Sequence, residues 1–224
     1  PVRTAAHTWT RTSIVTALPV CAVRKSAPAT VVSTARWAAR GMRVTVLKLG
    51  SLFDGIGMFP LAAVHCGMEP VWASEIEARP ISITKRHFPD MLHLGDITKI
   101  SGAEIPPVDV ITFGSPCQDL SQIGTRNGFA GKKSSLFYQA MRIIEEMRYA
   151  TNGRYPAFTV WENVAGAFSS NDRLDFAAML RAFTGAEVSV PPRGWAHAGM
   201  VRGGRADTAW RLLDAQYWGE PALV

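Results

Sequence analysis

Apolar positions in this chain fall into a regular order from Val44 onward. Short apolar runs at 44–49 (VTVLKL), 70–73 (PVWA), 108–113 (VDVITF) and 157–161 (AFTVW), with a weaker one near 91–94, each stop at a polar or glycine-bearing turn. Runs of that length, bounded in that way, predict buried strands. Between them, 58–66, 78–88, 134–149 and 172–183 have helical character, and Gly67 stands where a helix C-cap would. In 134–149, Leu136, Met141, Ile144 and Met147 fall near one face. Strand alternating with helix predicts an α/β domain with a largely parallel sheet, right-handed crossovers and flanking helices. Ligands of such sheets sit beyond the carboxyl ends of the strands, so the turns after the runs are where chemistry is expected.

Residues 1–43 show no such period. They hold seven basic residues (Arg3, Arg11, Arg24, Lys25, Arg36, Arg40, Arg43) and no acid, in a background of Ala, Thr and Val. This predicts a basic, disordered leader followed by a folded domain over 44–224. An organelle transit peptide has a similar composition. The net charge of +6 therefore says little about the domain: of 24 basic and 18 acidic residues, 44–224 carries 17 and 18. Any attraction to a phosphate backbone must come from the leader or from clusters such as Arg126, Lys132 and Lys133. A length of 224 residues, 47% hydrophobic and 19% charged, fits one soluble globular domain. No apolar run approaches the roughly 20 residues of a membrane span. Cys21, Cys66 and Cys117 are too scattered for a disulfide framework or a metal cage, and a reducing cytoplasm is expected.

Five short motifs lie at the predicted turns. Phe53-Asp54-Gly55-Ile56-Gly57 follows the first run, where glycine lets the backbone turn sharply and approach a ligand. Pro60 occupies the place of the third glycine of a dinucleotide fingerprint, which favours a nucleoside ligand without a pyrophosphate. Glu75 follows the second run, placed to accept from ribose hydroxyls. Asp96, in LGDIT, could accept from an adenine amino group with Ile97 flanking the ring. Gly114-Ser115-Pro116-Cys117-Gln118 presents a thiol just beyond a strand, and thiolate is the reactive form. Trp161-Glu162-Asn163-Val164 places a carboxyl group in apolar surroundings, which suits a proton donor to a ring nitrogen.

In this order, FDGIG, SEIE, GDIT, GSPCQ and ENV resemble the DNA cytosine-5 methyltransferases, over roughly residues 46–219. The resemblance implies a Rossmann-like, S-adenosylmethionine-dependent fold. It implies cofactor contacts from Phe53, Gly55, Gly57, Glu75, Ile76, Asp96, Ile97, Pro116 and Leu136, a nucleophile at Cys117, and an electrostatic partner at Glu162. Gln118 and Ser121 would lie against double-stranded DNA. Met58 stands where the family usually has another glycine. DAQYWGEP resembles the segment leading into the family's arginine-rich motif, and neither that motif, the target-recognition region nor the closing segment of the cofactor pocket follows. The expectation is therefore a fold incomplete at its C-terminus, from a truncated member or a split enzyme whose recognition region is a separate chain. A bacterial or phage origin and a cytoplasmic location go with it. Two alternatives stay open: a cofactor-binding protein without turnover, and transfer RNA as substrate.

Overall fold

The computed structural model describes residues 46–115 and 136–214, together with the backbone of Thr12–Ile14. Five parallel strands form the main sheet: β2 (Lys48–Leu52), β3 (Glu69–Ser74), β4 (Leu92–His93), β5 (Val110–Phe113) and β6 (Phe158–Trp161), in the order β4-β3-β2-β5-β6. Parallel strands need crossovers, and α1 (Met58–His65), α2 (Ala78–His87) and α3 (Leu136–Ala150) lie between successive strands as the alternation required. A fourth helix, α4 (Leu174–Thr184), follows β6.

The register decides where the turns emerge. Leu52 pairs with Ser74 on one side and Phe113 on the other, and Phe113 pairs with Trp161. The next residues, Phe53, Glu75, Gly114 and Glu162, therefore leave the sheet along one edge. β4 joins them through Ala73 opposite His93, with Asp96 shortly after.

The two faces of the sheet are covered separately. Leu52, Ile111, Phe113 and Trp161 point into a large core with Phe137, Ile143 and Met147 of α3 and Phe176, Leu180 and Phe183 of α4. Phe137 is its hub, with ring centroids 6.1 Å from Phe113 and 5.9 Å from both Trp161 and Phe183. Leu49 and Val110 face the other way, onto Ala63 of α1. α1 ends as its sequence predicts: Gly67 takes φ 74°, its N–H donates to Val64, and Met68 N–H donates to Ala63 at 2.8 Å, a pair of bonds that satisfies the last carbonyls.

Two features depart from the sequence reading. The first strand runs to Leu52 rather than stopping at Leu49, because Gly50 and Ser51 belong to it. A Cβ on Gly50 would lie 2.2 Å from the Trp72 indole, so this glycine makes room inside the sheet rather than a turn after it. The second is an antiparallel hairpin, β7 (Ala198–Arg202) and β8 (Asp207–Asp214), which no apolar run announced. It seats Trp210 against Phe176 (5.5 Å) and Trp195 (6.1 Å), and Phe176 against Phe168 (4.7 Å). The basic leader falls outside the described residues except for β1 (Thr12–Ile14), whose backbone pairs antiparallel with β8.

Candidate active site

Three turns at the carboxyl edge are tied into one cradle. After β2, Phe53, Gly55 and Gly57 all have positive φ (53°, 58° and 88°). Gly55 and Gly57 adopt that region freely, whereas Phe53 bears a local strain there. The site of a Cβ on Gly55 faces open space, with no atom within 4 Å. Glu75 fixes the turn: one carboxylate oxygen accepts from Gly55 N–H at 2.8 Å, the other from Ile76 N–H (2.7 Å) and Glu77 N–H (2.9 Å). Ser74 links the third turn by donating its hydroxyl to Gly95 O at 2.7 Å. Asp96 then caps a 3-10 turn, Ile97–Lys99, accepting from the N–H and hydroxyl of Thr98 at 2.9 and 2.8 Å. Those bonds, the backbone N–H first, hold its carboxyl below the usual range, with a smaller contribution from Lys99.

Asp54 is the unusual member of the first turn. It is 6% exposed; Ser51 donates to its Oδ1 at 2.6 Å, and its Oδ2 is buried without a hydrogen-bond partner. Burial, reinforced by the charge of Glu75 and opposed by the Ser51 bond, pushes its pKa up to about 6.

The ends of β5 and β6 make the second half of the site. Glu162 N–H donates to Phe113 O at 2.9 Å, continuing the ladder one step past the strands. The Trp161 indole N–H donates to Ser115 Oγ (3.1 Å), and the Asn163 amide to Ser115 O (3.3 Å). Trp161, Asn163 and Ser115 are all buried, so these bonds are shielded from water. The Glu162 carboxyl leans over the neighbouring turn: its Oε2 lies 3.0 Å from where a Cβ on Gly114 would stand. Gly114 and Ser115 are the residues that lead into Pro116 and Cys117.

The structure thus brings Phe53, Gly55, Gly57, Glu75, Ile76, Asp96 and Glu162 to one edge. Ile76 is 68% exposed, an apolar side chain open to solvent beside Glu75, whereas the Ile97 side chain goes into the core at 4% exposure. Leu136 opens α3, half-buried. Met58, standing in place of a glycine, is the first residue of α1, where φ is that of an ordinary residue. Pro116, Cys117, Gln118 and Ser121 lie outside the described residues. Sequence reading gave no role to Asp54, Gly114, Ser115 or Asn163, although all four lie within the motifs it singled out. Among the described residues no helix is long and apolar enough to cross a membrane, and no cluster of His, Cys, Asp and Glu could hold a metal.

Residues 47–197 match the profile of the C-5 cytosine-specific DNA methylases. The chain is 30% identical over 203 residues to a DNA N-6-adenine-methyltransferase of Escherichia phage P1, across 77% of this chain and 27% of that protein. It is 32% identical over 130 residues to the Type II methyltransferase M.HhaI of Haemophilus parahaemolyticus, across 58% of this chain and 37% of the relative. Among solved structures, a candidate DNA modification methyltransferase encoded within an E. coli prophage overlays with a TM-score of 0.47 at 18% identity, covering 78% of this chain and 49% of that one. The chain spans about a third of the length of the curated relatives it matches.

Proposed function

The chain belongs to the C-5 cytosine-specific DNA methylase family, and from that membership we propose that residues 44–224 carry the catalytic half of an enzyme methylating carbon 5 of cytosine in DNA. The observation that carries the proposal is the joining of the β5 and β6 ends, which holds the Glu162 carboxyl over Gly114, three residues before Cys117.

The cradle suits S-adenosylmethionine. Open space above Gly55, the exposed Ile76 side chain and the Glu75 and Asp96 carboxylates along one edge match an adenine, its ribose and a chain without phosphates. Glu75 keeps acceptor capacity on the oxygen that holds Gly55 and would take the ribose. Asp96, whose second oxygen lies 3.8 Å from Lys99 Nζ, would take the adenine amino group. Phe53 and Gly57 complete that side in this reading, Ile97 contributes backbone alone because its side chain enters the core, and Pro116 and Leu136 lie toward the methionine portion. When bound, this cofactor supplies an electrophilic methyl group.

Carbon 5 of cytosine is a weak nucleophile, and the residues are assigned to correct that. Cys117 thiolate adds to carbon 6, forming the S–C6 bond and sending the electron pair of the C5–C6 double bond into the ring. The Glu162 carboxyl, hydrogen-bonded at ring nitrogen 3, stabilises that charge. Carbon 5 is then enamine-like and would take the methyl group as the sulfonium S–CH3 bond breaks, the donor leaving as its neutral thioether. Loss of its proton expels Cys117 and restores the double bond. A base inside a duplex cannot reach such a site, so extrusion at a cost of a few kcal/mol is part of the scheme. Gln118 and Ser121 are assigned to the DNA side, and a separate chain could supply the target-recognition region.

The test is incubation of the full chain with labelled S-adenosylmethionine and DNA containing 5-fluorocytosine, alone and with candidate recognition chains. Fluorine replaces the carbon 5 proton and cannot leave as a cation, so Cys117 cannot be expelled; a covalent complex is expected with the parent chain and none with Cys117→Ala. The name of the phage P1 relative favours a second reading, adenine N6 methylation. Label on adenine, with no trapping, would replace the first reading by that one. Cofactor binding without label on any base, including in transfer RNA, would leave a binding protein.

A further inference from the structure

We infer that Arg142 and Glu146 of α3 form a clamp that sets the orientation of the Asp96 carboxylate, making Arg142 a positioning residue for discrimination at the adenine amino group. This rests on the assignment of Asp96 to adenine given above.

Arg142 is a helix residue, yet two of its hydrogen bonds leave its helix. It donates to Ile97 O and Ile100 O, both at 2.9 Å. Those are carbonyls of the short segment that begins with Asp96. Its remaining N–H groups hold Gln139 at 2.8 Å and Glu146 at 2.9 and 3.0 Å. Glu146 in turn accepts from Gly102 N–H at 2.7 Å. The segment from Ile97 to Gly102 is thereby fixed to α3 at both ends. Gly102 lies so close to the helix that a Cβ there would meet Ile143 O at 2.1 Å. An i,i+4 ion pair along the helix would engage Glu146 alone and does not account for a fork that also holds two carbonyls of another segment.

Asp96 is what this clamp has to offer the site. Thr98 holds one of its oxygens from within the 3-10 turn, but that bond orients the carboxylate only relative to the turn. Arg142, through Ile97 O and Ile100 O, orients the turn relative to the sheet edge. Guanidinium geometry suits the task, since a planar fork satisfies several fixed acceptors at once and an ammonium does not. A site that hydrogen-bonds a ligand amino group rejects an analogue lacking it only if the acceptor cannot swing away.

The experiment is calorimetric titration of the full chain with S-adenosylhomocysteine and with S-inosylhomocysteine, whose 6-oxo group replaces the amino donor. The parent chain should prefer the adenosyl ligand about 10- to 100-fold, the range for one hydrogen bond to a charged group, and Asp96→Asn should bring the two within a few-fold. Arg142→Met should also collapse the preference to a few-fold while the chain still unfolds cooperatively. Arg142→Lys should recover only part of it. Glu146→Gln, which keeps an acceptor for Gly102, should show a smaller loss and serves if Arg142→Met does not fold. Uniform weakening of both ligands in the Arg142 and Glu146 variants, with the parent preference intact, overturns the inference and leaves Arg142 a structural residue. If Asp96→Asn itself keeps the preference, the adenine assignment fails first and the inference falls with it.

Discussion

Gly114 has no special φ; its hydrogen is needed because the Glu162 carboxyl occupies the space beside it. In Gly114→Ala the added methyl would push that carboxyl aside by a few tenths of an ångström without meeting any other described side chain, so methylation should fall, by less than the roughly 100-fold that a misplacement near 1 Å costs, with little change in melting temperature. Comparing single-turnover rates with thermal unfolding checks this; a destabilised variant with normal rates would contradict it. Asp54 is the opposite case, a residue whose own ionisation works against the fold. Its pKa stands at about 6 in the folded chain against 3.8 when unperturbed, so the folded state binds the proton more tightly. Its favourable contribution is complete below about pH 3.8 and is lost as pH rises through about 6. Asp54→Asn keeps the Ser51 bond and removes the charge. It should be more stable than the parent at pH 8 by up to ~3 kcal/mol, with the gap closing between pH 6 and 4. Urea unfolding across that range reads the difference, and a gap that widens toward low pH would be the wrong sign.

At the level of elements, the parallel strands were legible because each is a short apolar run with a turn behind it, and α3 because its apolar positions recur on one side. Boundaries failed where a residue serves packing rather than local conformation: Gly50 reads as a turn but accommodates Trp72. β7 and β8 were missed because their apolar residues, among them Met200, Val201, Trp210, Leu212 and Leu213, are interrupted by Gly199, Arg202, Gly203, Gly204 and Arg211 and form no long unbroken run, and one indole anchors them. Trp210 is 9% exposed, sits against Phe176 and Trp195, and donates from its ring N–H to Ala196 O at 3.0 Å. Trp210→Ala should cost about 3–5 kcal/mol and detach the hairpin, seen as fast amide exchange over 198–213 while β2, β3 and β5 stay protected. Retained protection of the hairpin would show that its backbone pairing suffices. The clamp of Arg142 was equally illegible. Its partners Ile97 and Ile100 contribute only carbonyls, which no side-chain pattern records.

For the whole molecule, the candidate site is an edge rather than a hole. Five strand ends aligned by register deliver residues from distant parts of the chain to one line, and the Glu75 carboxylate and Ser74 hydroxyl, bonded to backbone groups, stitch the turns together. Motif order in the sequence made that line predictable; the stitching depends on backbone N–H and C=O groups that every residue has. A ligand in the cradle should tighten all three turns together. S-adenosylhomocysteine at 100 times its Kd should add about 2.7 kcal/mol to unfolding and slow exchange at 53–57, 75–77 and 95–98 while leaving 198–213 unchanged. Slowing confined to one turn would separate what the hydrogen bonds join. The indole of Trp161 adds an opportunity of another kind. It is wholly enclosed, and its ring N–H rests on the Ser115 hydroxyl, two positions ahead of the proposed nucleophile. A fluorine atom placed on that ring by biosynthetic 5-fluorotryptophan labelling would give a nuclear resonance, identified by its loss in Trp161→Phe, that senses any shift of Ser115 when nucleic acid is added. The fold thus contains its own spectroscopic witness to events at the thiol, readable before any product has formed.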